Sequence, residues 1–450
     1  MKNSPTWRNW SGTVESSPAL TIRPADRHGI VTAVEQAATR NQTIRPRGSG
    51  HSGVPLVATD GVVIDLSNWT GLERVDIENR LITVRSGTTL RSLNEQLHGL
   101  GLALTNLGDI DSQTLAGALA TGTHGTGLRL GGMPTQVQAM EIILADGTSV
   151  TCSATERPEL FDAARTNLGA LGIVSTVTLR CEPAFALTAS EFPEPVDSVL
   201  SRIDEYVENT HFEFYWFPHT RNALVKCANR VPATESARPM HPLRHWLEYE
   251  VLENGALGLI CRTGRAVPAV GPSLNRLCAN LLSHRNYSDR SYRVLTSRRA
   301  VRFVECEYSV PFEALIAVFE QLRSAVGRLS HPVMIPIEVR FAAADAVWLS
   351  PAYRRRTAYV SVQQYVGMPY REYFSLFEAI VESVGGRPHL GKIHSLTSKE
   401  LGKRYPRLTD FARMSAELDP VGTFRNHYLD GLLGVDSGRR LRADGLSMEC

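Results

Sequence analysis

Three glycine-rich stretches and one charged strand carry most of the chemistry legible in this chain. Gly48-Ser49-Gly50-His51-Ser52-Gly53 puts glycines where the backbone can take positive φ and bring its N–H groups against an anion. Thr121, Thr123, His124 and Gly127 crowd into a second loop, just after a helix-like run that contains Gly117. A third, Asn167 to Gly172, leads through Ile173 into a β-like run. Any one of these alone reads as a tight turn; together they suit a long ligand with two phosphates, held by distributed backbone contacts. In Ile335 to Phe341, strand alternation puts Ile337, Val339 and Phe341 on one face and Glu338 with Arg340 on the other. On an open surface such an ion pair is worth little. Set among Ile, Val and Phe, it suits a strand with one face in a core and the other facing a cavity.

The first loop also spells G-x-G-x-x-G, with Glu73 in the place of the ribose-binding acid about 20 residues on. A nicotinamide-binding turn of that kind needs a helix that starts inside the motif. Pro55 and Asp60-Gly61 leave no room for one, and Val62 to Leu66 already reads as a strand.

These residues need a scaffold of alternating short strands and helices. Thr43 to Arg47, Val62 to Leu66, Leu81 to Val84, Val137 to Leu144 and Val174 to Arg180 read as strands. Ile30, Val31, Val34, Ala37 and Ala38, then Leu90, Leu93, Leu97 and Leu100, repeat at helical spacing. After Pro183 the chain gains aromatic residues and arginine. His211 to Phe217 and Ala223 to Arg230 predict a hairpin, Ile335 to Ala342 and Tyr359 to Tyr365 sheet strands, and Tyr370 to Val384 a helix. The fold class is therefore α+β in two domains: 1–184, then 185–400, with a helical segment 401–434 returning to the first and a frayed tail over 435–450.

The 450 residues carry 48 Lys and Arg against 46 Asp and Glu, a net charge of +2 that excludes a nucleic-acid partner. Arginine-dense stretches, Arg285 to Arg302 and Arg354 to Arg356, are expected to be solvated or acid-paired, with docking of an acidic electron acceptor as the sharper reading. The seven cysteines contain no Cys-x-x-Cys, which argues against a disulfide framework and a metal site. No apolar run reaches the roughly 18 residues needed to cross a bilayer. A cytoplasmic setting, with at most peripheral membrane contact, fits these features.

In order and spacing, Arg47 to Ser52, Thr121 to Gly127, Leu168 to Gly172, Ile337 to Arg340, Trp348 to Tyr353, Arg387 to Lys392 and Leu418 to Pro420 resemble the aldonolactone and alditol oxidase family of the vanillyl-alcohol oxidase superfamily. The resemblance spans nearly the whole chain. It implies a PCMH-type FAD-binding domain and a mixed sheet-and-helix cap domain for the substrate. It also implies FAD, bound covalently through His51, and oxidation of a CH–OH group of a gulono- or arabinono-1,4-lactone by hydride transfer. Oxygen or a cytochrome-type acceptor would complete the cycle. An alditol, or a specialised alcohol, is the alternative substrate.

By the same resemblance Gly48, Ser49, Gly50, His51, Ser52, Gly117, Thr121, Thr123, His124, Gly127, Gly172 and Ile173 hold the cofactor. Glu338, Arg340 and Lys392 act on the substrate and Asp109 contacts it; Gln363, on one strand face with Tyr359, Ser361 and Tyr365, is placed by strand alternation to read its hydroxyls. Lys392, held beside an arginine and partly desolvated, is expected to have a lowered pKa and to accept the hydroxyl proton. Gly108 stands where relatives control oxygen access. Gly53 and Leu390 stand where relatives carry aromatic residues, which points to altered contacts near the flavin.

Overall fold

The computed structural model describes residues 6–231 and 238–435, so the tail expected over 435–450 lies, beyond Val435, outside the described residues. Helices and sheets are mixed throughout, in an α+β arrangement. Near the N-terminus Leu20–Ile22, Val62–Asp65 and Ile44–Arg47 form a parallel sheet in that order. Helix Arg27–Thr39 makes the crossover between two of its strands. Asp26 caps it by accepting from the Gly29 N–H at 2.7 Å, and Ile30, Ala33, Val34 and Ala37 are buried against the sheet. No helix follows the first glycine loop; residues 54–60 form turns that lead into the Val62–Asp65 strand. An antiparallel sheet follows, in the order Ser149–Ser153, Val137–Ile143, Ile173–Arg180, Leu81–Arg85 and Leu72–Asp76.

An eight-stranded antiparallel sheet dominates the rest, with Ile337–Ala342 between His211–Trp216 and Thr357–Tyr365, and Phe303–Pro311 beyond. Its apolar face buries Phe212, Phe214, Trp216, Val339, Phe341 and Val360 against helices Leu315–Val326 and Arg371–Glu382. Ala186–Pro195 also joins this sheet. Its prolines Pro193 and Pro195 lie past residue 191, where pairing to Arg285–Arg290 stops, so no ladder donor is lost on that side. The segment 242–280, with no clear period in the sequence, forms a string of short helices, including a π-helical stretch Trp246–Ala256.

Leu401, Tyr405, Leu408, Phe411, Leu429 and Leu432 pack in one core with Leu90, Leu119 and Met140. Trp348, Leu349 and Leu390 join that same core, so the chain between 185 and 400 is not confined to the second sheet. Among the described residues no helix is long and apolar enough to cross a membrane.

Candidate active site

The cross-strand register makes one polar surface. Tyr215 faces Glu338, Glu338 faces Ser361, and Ser361 faces Glu307, a row across four strands. Gln363 faces Glu305 in the next row. Because side chains alternate, Glu213, Arg340 and Tyr359 share this face while the apolar core takes the other. Loops 106–113, 121–125 and 389–392 close over it, so Glu338, Arg340, Gln363, Lys392, Asp109, His124 and Thr123 line one cavity with Gly108 and Trp10.

Electrostatics inside this cavity are strong. Glu338 and Arg340 pair directly, Arg340 Nε donates to Glu213 at 2.8 Å, and the Tyr215 hydroxyl donates to Glu338 at 2.9 Å. Burial, reinforced by Asp109 and Glu213, outweighs Arg340 and pushes Glu338 up to about 7. Asp109 pairs with Arg299 at 2.9 Å and lies 3.5 Å from Arg340; despite burial, those two arginines hold it below the ordinary carboxylate range. Lys392 contradicts expectation. Burial does act to lower its pKa, but carboxylates of Glu305 at 2.5 Å and Glu307 at 2.9 Å outweigh burial and raise it above the ordinary lysine value. A lysine clamped between two carboxylates is a fixed cation and not a proton acceptor.

The first glycine loop adjoins this cavity. Among the described residues, the backbone N–H groups of Ser49, Gly50, His51 and Ser52 have no protein acceptor. Gly50 has φ 76°. A Cβ on Gly48 would stand 2.5 Å from Thr114 Oγ1, so only glycine lets the loop sit against the capped start of helix Leu115–Ala120. A second cavity runs along Gly48 to Ser52, Gly117, Thr121, Gly172 and Ile173, and is also lined by Ser86, whose buried hydroxyl has no partner among the described residues. Free N–H donors, glycine-only approach and an unpaired hydroxyl fit a dinucleotide with two phosphates. His51, Ser52 and Thr121 line both cavities. Burial lowers the His51 pKa, and its Nε2 lies 2.9 Å from Ser112 Oγ. Ser52 Oγ donates to the Gly391 carbonyl at 2.8 Å, which fastens the glycine loop to the turn that carries Lys392.

Two expectations are corrected. Gly127 lines neither cavity; its N–H donates to Phe341 O at 2.9 Å, and its φ of 137° turns the loop onto the central strand. Leu390 is 2% exposed within the first core, while its neighbours His389 and Gly391 face the cavity. The acid pairing expected of the arginine-dense stretches is present: Arg285 is buried among Glu191, Glu248 and Glu253, and Arg299, paired with Asp109, belongs to the site. Sequence reading missed Tyr215, Glu213, Glu305, Glu307, Arg299, Ser112 and His389. Alternation in His211–Trp216 and Phe303–Pro311 could have found the first four, since Glu213, Tyr215, Glu305 and Glu307 all fall on the non-apolar face.

Fold and site together define an FAD-dependent oxidoreductase. The fold is that of cholesterol oxidase from B. sterolicum, matched at TM-score 0.79 and 16% identity over 95% of this chain and 96% of that one. Residues 18–153 match the model of an FAD binding domain, and residues 177–432 match the model described as D-arabinono-1,4-lactone oxidase. The chain belongs to the D-arabinono-1,4-lactone oxidase family. It is 41% identical over 435 residues to L-gulono-1,4-lactone dehydrogenase of Mycobacterium tuberculosis, covering 96% of this chain and all of that one. Against L-gulonolactone oxidase of Scyliorhinus torazame it is 34% identical over 437 residues, with 94% and 97% covered.

Proposed function

We propose that this enzyme oxidises a ring or side-chain CH–OH group of a gulono- or arabinono-type 1,4-lactone, with FAD tethered at His51. The observation that carries this reading is the position of His51, which lines both the glycine-loop cavity and the cavity holding the Glu338, Arg340 and Lys392 charges. The names of the relatives support a lactone, and the division of labour follows: 1–184 for the cofactor, 185–400 for the substrate, 401–434 as a brace on the first. When bound, FAD supplies the hydride acceptor.

The protein's own groups do the rest. Arg340 and Lys392, fixed as cations, stabilise negative charge on the reacting oxygen. Glu338, pushed up to about 7, takes the hydroxyl proton in place of Lys392. Asp109 and Gln363 hold neighbouring hydroxyls, with Asp109 itself set by Arg299. Substrate reaches them through a larger opening of about 680 Å³ lined by Tyr249, Tyr287, Tyr292 and Arg293, which meets the inner cavity at Asp109, Arg299 and Arg340.

The test is anaerobic flavin bleaching with a panel of lactones and alditols, together with visible absorbance of the denatured, washed chain. Bleaching by lactones and colour retained on the peptide containing His51 are expected; bleaching by alditols alone would reverse the substrate assignment, and colour lost on washing would reverse the tether.

A further inference from the structure

Beside the polar cavity lies an apolar one that oxidation of a polyol does not use. Apolar residues such as Phe217, Leu224, Leu257, Ile260, Leu282 and Ile335 form most of its wall, with the charged Lys226, Glu248, Glu253, Arg285 and Arg298 among the rest. The two share Arg299, Phe303 and Gln363. Phe303 meets Trp10 edge-on at 5.2 Å, and Trp10 lies 5.7 Å from His51, both as ring-centroid distances. Its lining residue Phe303 is thus two ring contacts from the residue assigned to hold flavin. Leu281 also lines it and is 53% exposed.

Leu281 belongs to an unusual surface. Helices Leu257–Ala266 and Gly271–Asn280 pack on each other, and their connection, Val267 to Val270, is exposed throughout. Leu259 and Leu277 are 59% and 50% exposed on those helices. From Asn254 to Ser288 the chain has Arg262, Arg265, Arg276 and Arg285 and no acidic residue. Arg262 and Arg276 have no ion-pair partner among the described residues, unlike the arginines of the site. Exposed aliphatics among unpaired arginines are the signature of contact with an anionic bilayer surface. An acidic protein would answer the arginines but not the aliphatic connection.

We propose that the apolar cavity admits the ring of a lipid-soluble quinone, taken up at an anionic membrane surface, as the electron acceptor. This rests on the proposed lactone oxidation, which releases the carbinol C–H as hydride and the O–H hydrogen as a proton. The quinone takes both electrons and both protons, its two C=O groups becoming C–OH. Carbinol plus quinone therefore gives carbonyl plus hydroquinone, with no third reactant. Against the aliphatic part of this wall the hydroxyls of a polyhydroxylated substrate would lose water without gaining partners.

The holoenzyme, irradiated with a short-chain azidoquinone, is expected to carry label in peptides spanning Leu257 to Leu282, unchanged by excess lactone. Leu257→Trp and Leu282→Trp fill the cavity; each is expected to slow quinone reduction by dithionite-reduced holoenzyme about tenfold while flavin reduction by lactone stays within about twofold. Phosphatidylglycerol vesicles should sediment the enzyme, and Arg262→Glu with Arg276→Glu should release it. Label displaced by lactone, tryptophan variants that reduce quinone normally, an acidic cytochrome reduced faster than quinone, or indifference to those vesicles would each overturn the proposal. Labelling intact in an enzyme that no lactone bleaches would support the cavity assignment and sink only the substrate reading.

Discussion

At Glu338 two opposing demands meet. Arg340 pairs with it and favours the carboxylate, while burial and the nearby Asp109 and Glu213 favour the neutral acid and leave it at about 7. The folded site therefore releases this proton near neutrality, well above the ordinary 4.5. As a base, Glu338 is active when ionised, so flavin reduction should rise with pH through about 7 and then level. Glu338→Gln should lower the limiting rate about a hundredfold or more and abolish that inflection, as read by stopped-flow absorbance. Lys392→Ala should also slow reduction by roughly 10²-fold, the scale of removing one charge-stabilising donor, but with the inflection retained, since a lysine clamped by Glu305 and Glu307 does not titrate there. Equal pH profiles for the two variants would remove the distinction between base and fixed cation.

The catalytic face exists because one strand alternates and its neighbours alternate in register with it. Elements that hold it are sensitive where glycine is obligatory. A Cβ on Gly127 would stand 2.5 Å from the Thr210 carbonyl, and the φ of 137° is foreign to other residues. Gly127→Ala should cost about 1–3 kcal/mol of stability and pull its loop off the Ile337–Ala342 strand, visible as a lower Tm together with a raised KM. Gly108→Ala meets the Thr123 methyl at 2.7 Å, which a side-chain shift relieves, and lies 3.4 Å from the His124 carbonyl oxygen, an ordinary contact. That variant should fold normally, and any change should be confined to the cavity, measured as the rate of flavin reoxidation.

Across the whole molecule, the cofactor cavity is braced by chain from distant positions. Arg45, 1% exposed, donates to the carbonyls of Leu56, Leu168, Gly169 and Phe424, tying the glycine-loop side to residues near the C-terminus. Arg45→Met strands four carbonyls away from water and should cost about 3 kcal/mol or more. Phe411, fully buried in the first core, should cost about 3–5 kcal/mol when cut to alanine. In both variants denaturant midpoints should fall, while flavin stays on the chain through dialysis, held by the proposed tether at His51.

How much of this was readable in advance differs by kind of feature. Glycine loops, the Glu338 and Arg340 alternation, the absence of a helix after Gly53 and the α+β texture are local: each depends on φ freedom, strand period or a proline within a few residues. Sequence alone determined those. What it could not decide is which distant charges share a buried space. Lys392 lies 87 residues from Glu305 and 85 from Glu307, and its protonation depends on both. Leu390 points into a core and Lys392 into the cavity, a choice made by the packing of helices that follow in the chain. Arg299 looks like one of many surface arginines until the fold brings Asp109 within 2.9 Å of it. Local backbone chemistry is written in short spacings, whereas the sign and strength of a buried field is a sum over neighbours that only the tertiary structure assembles.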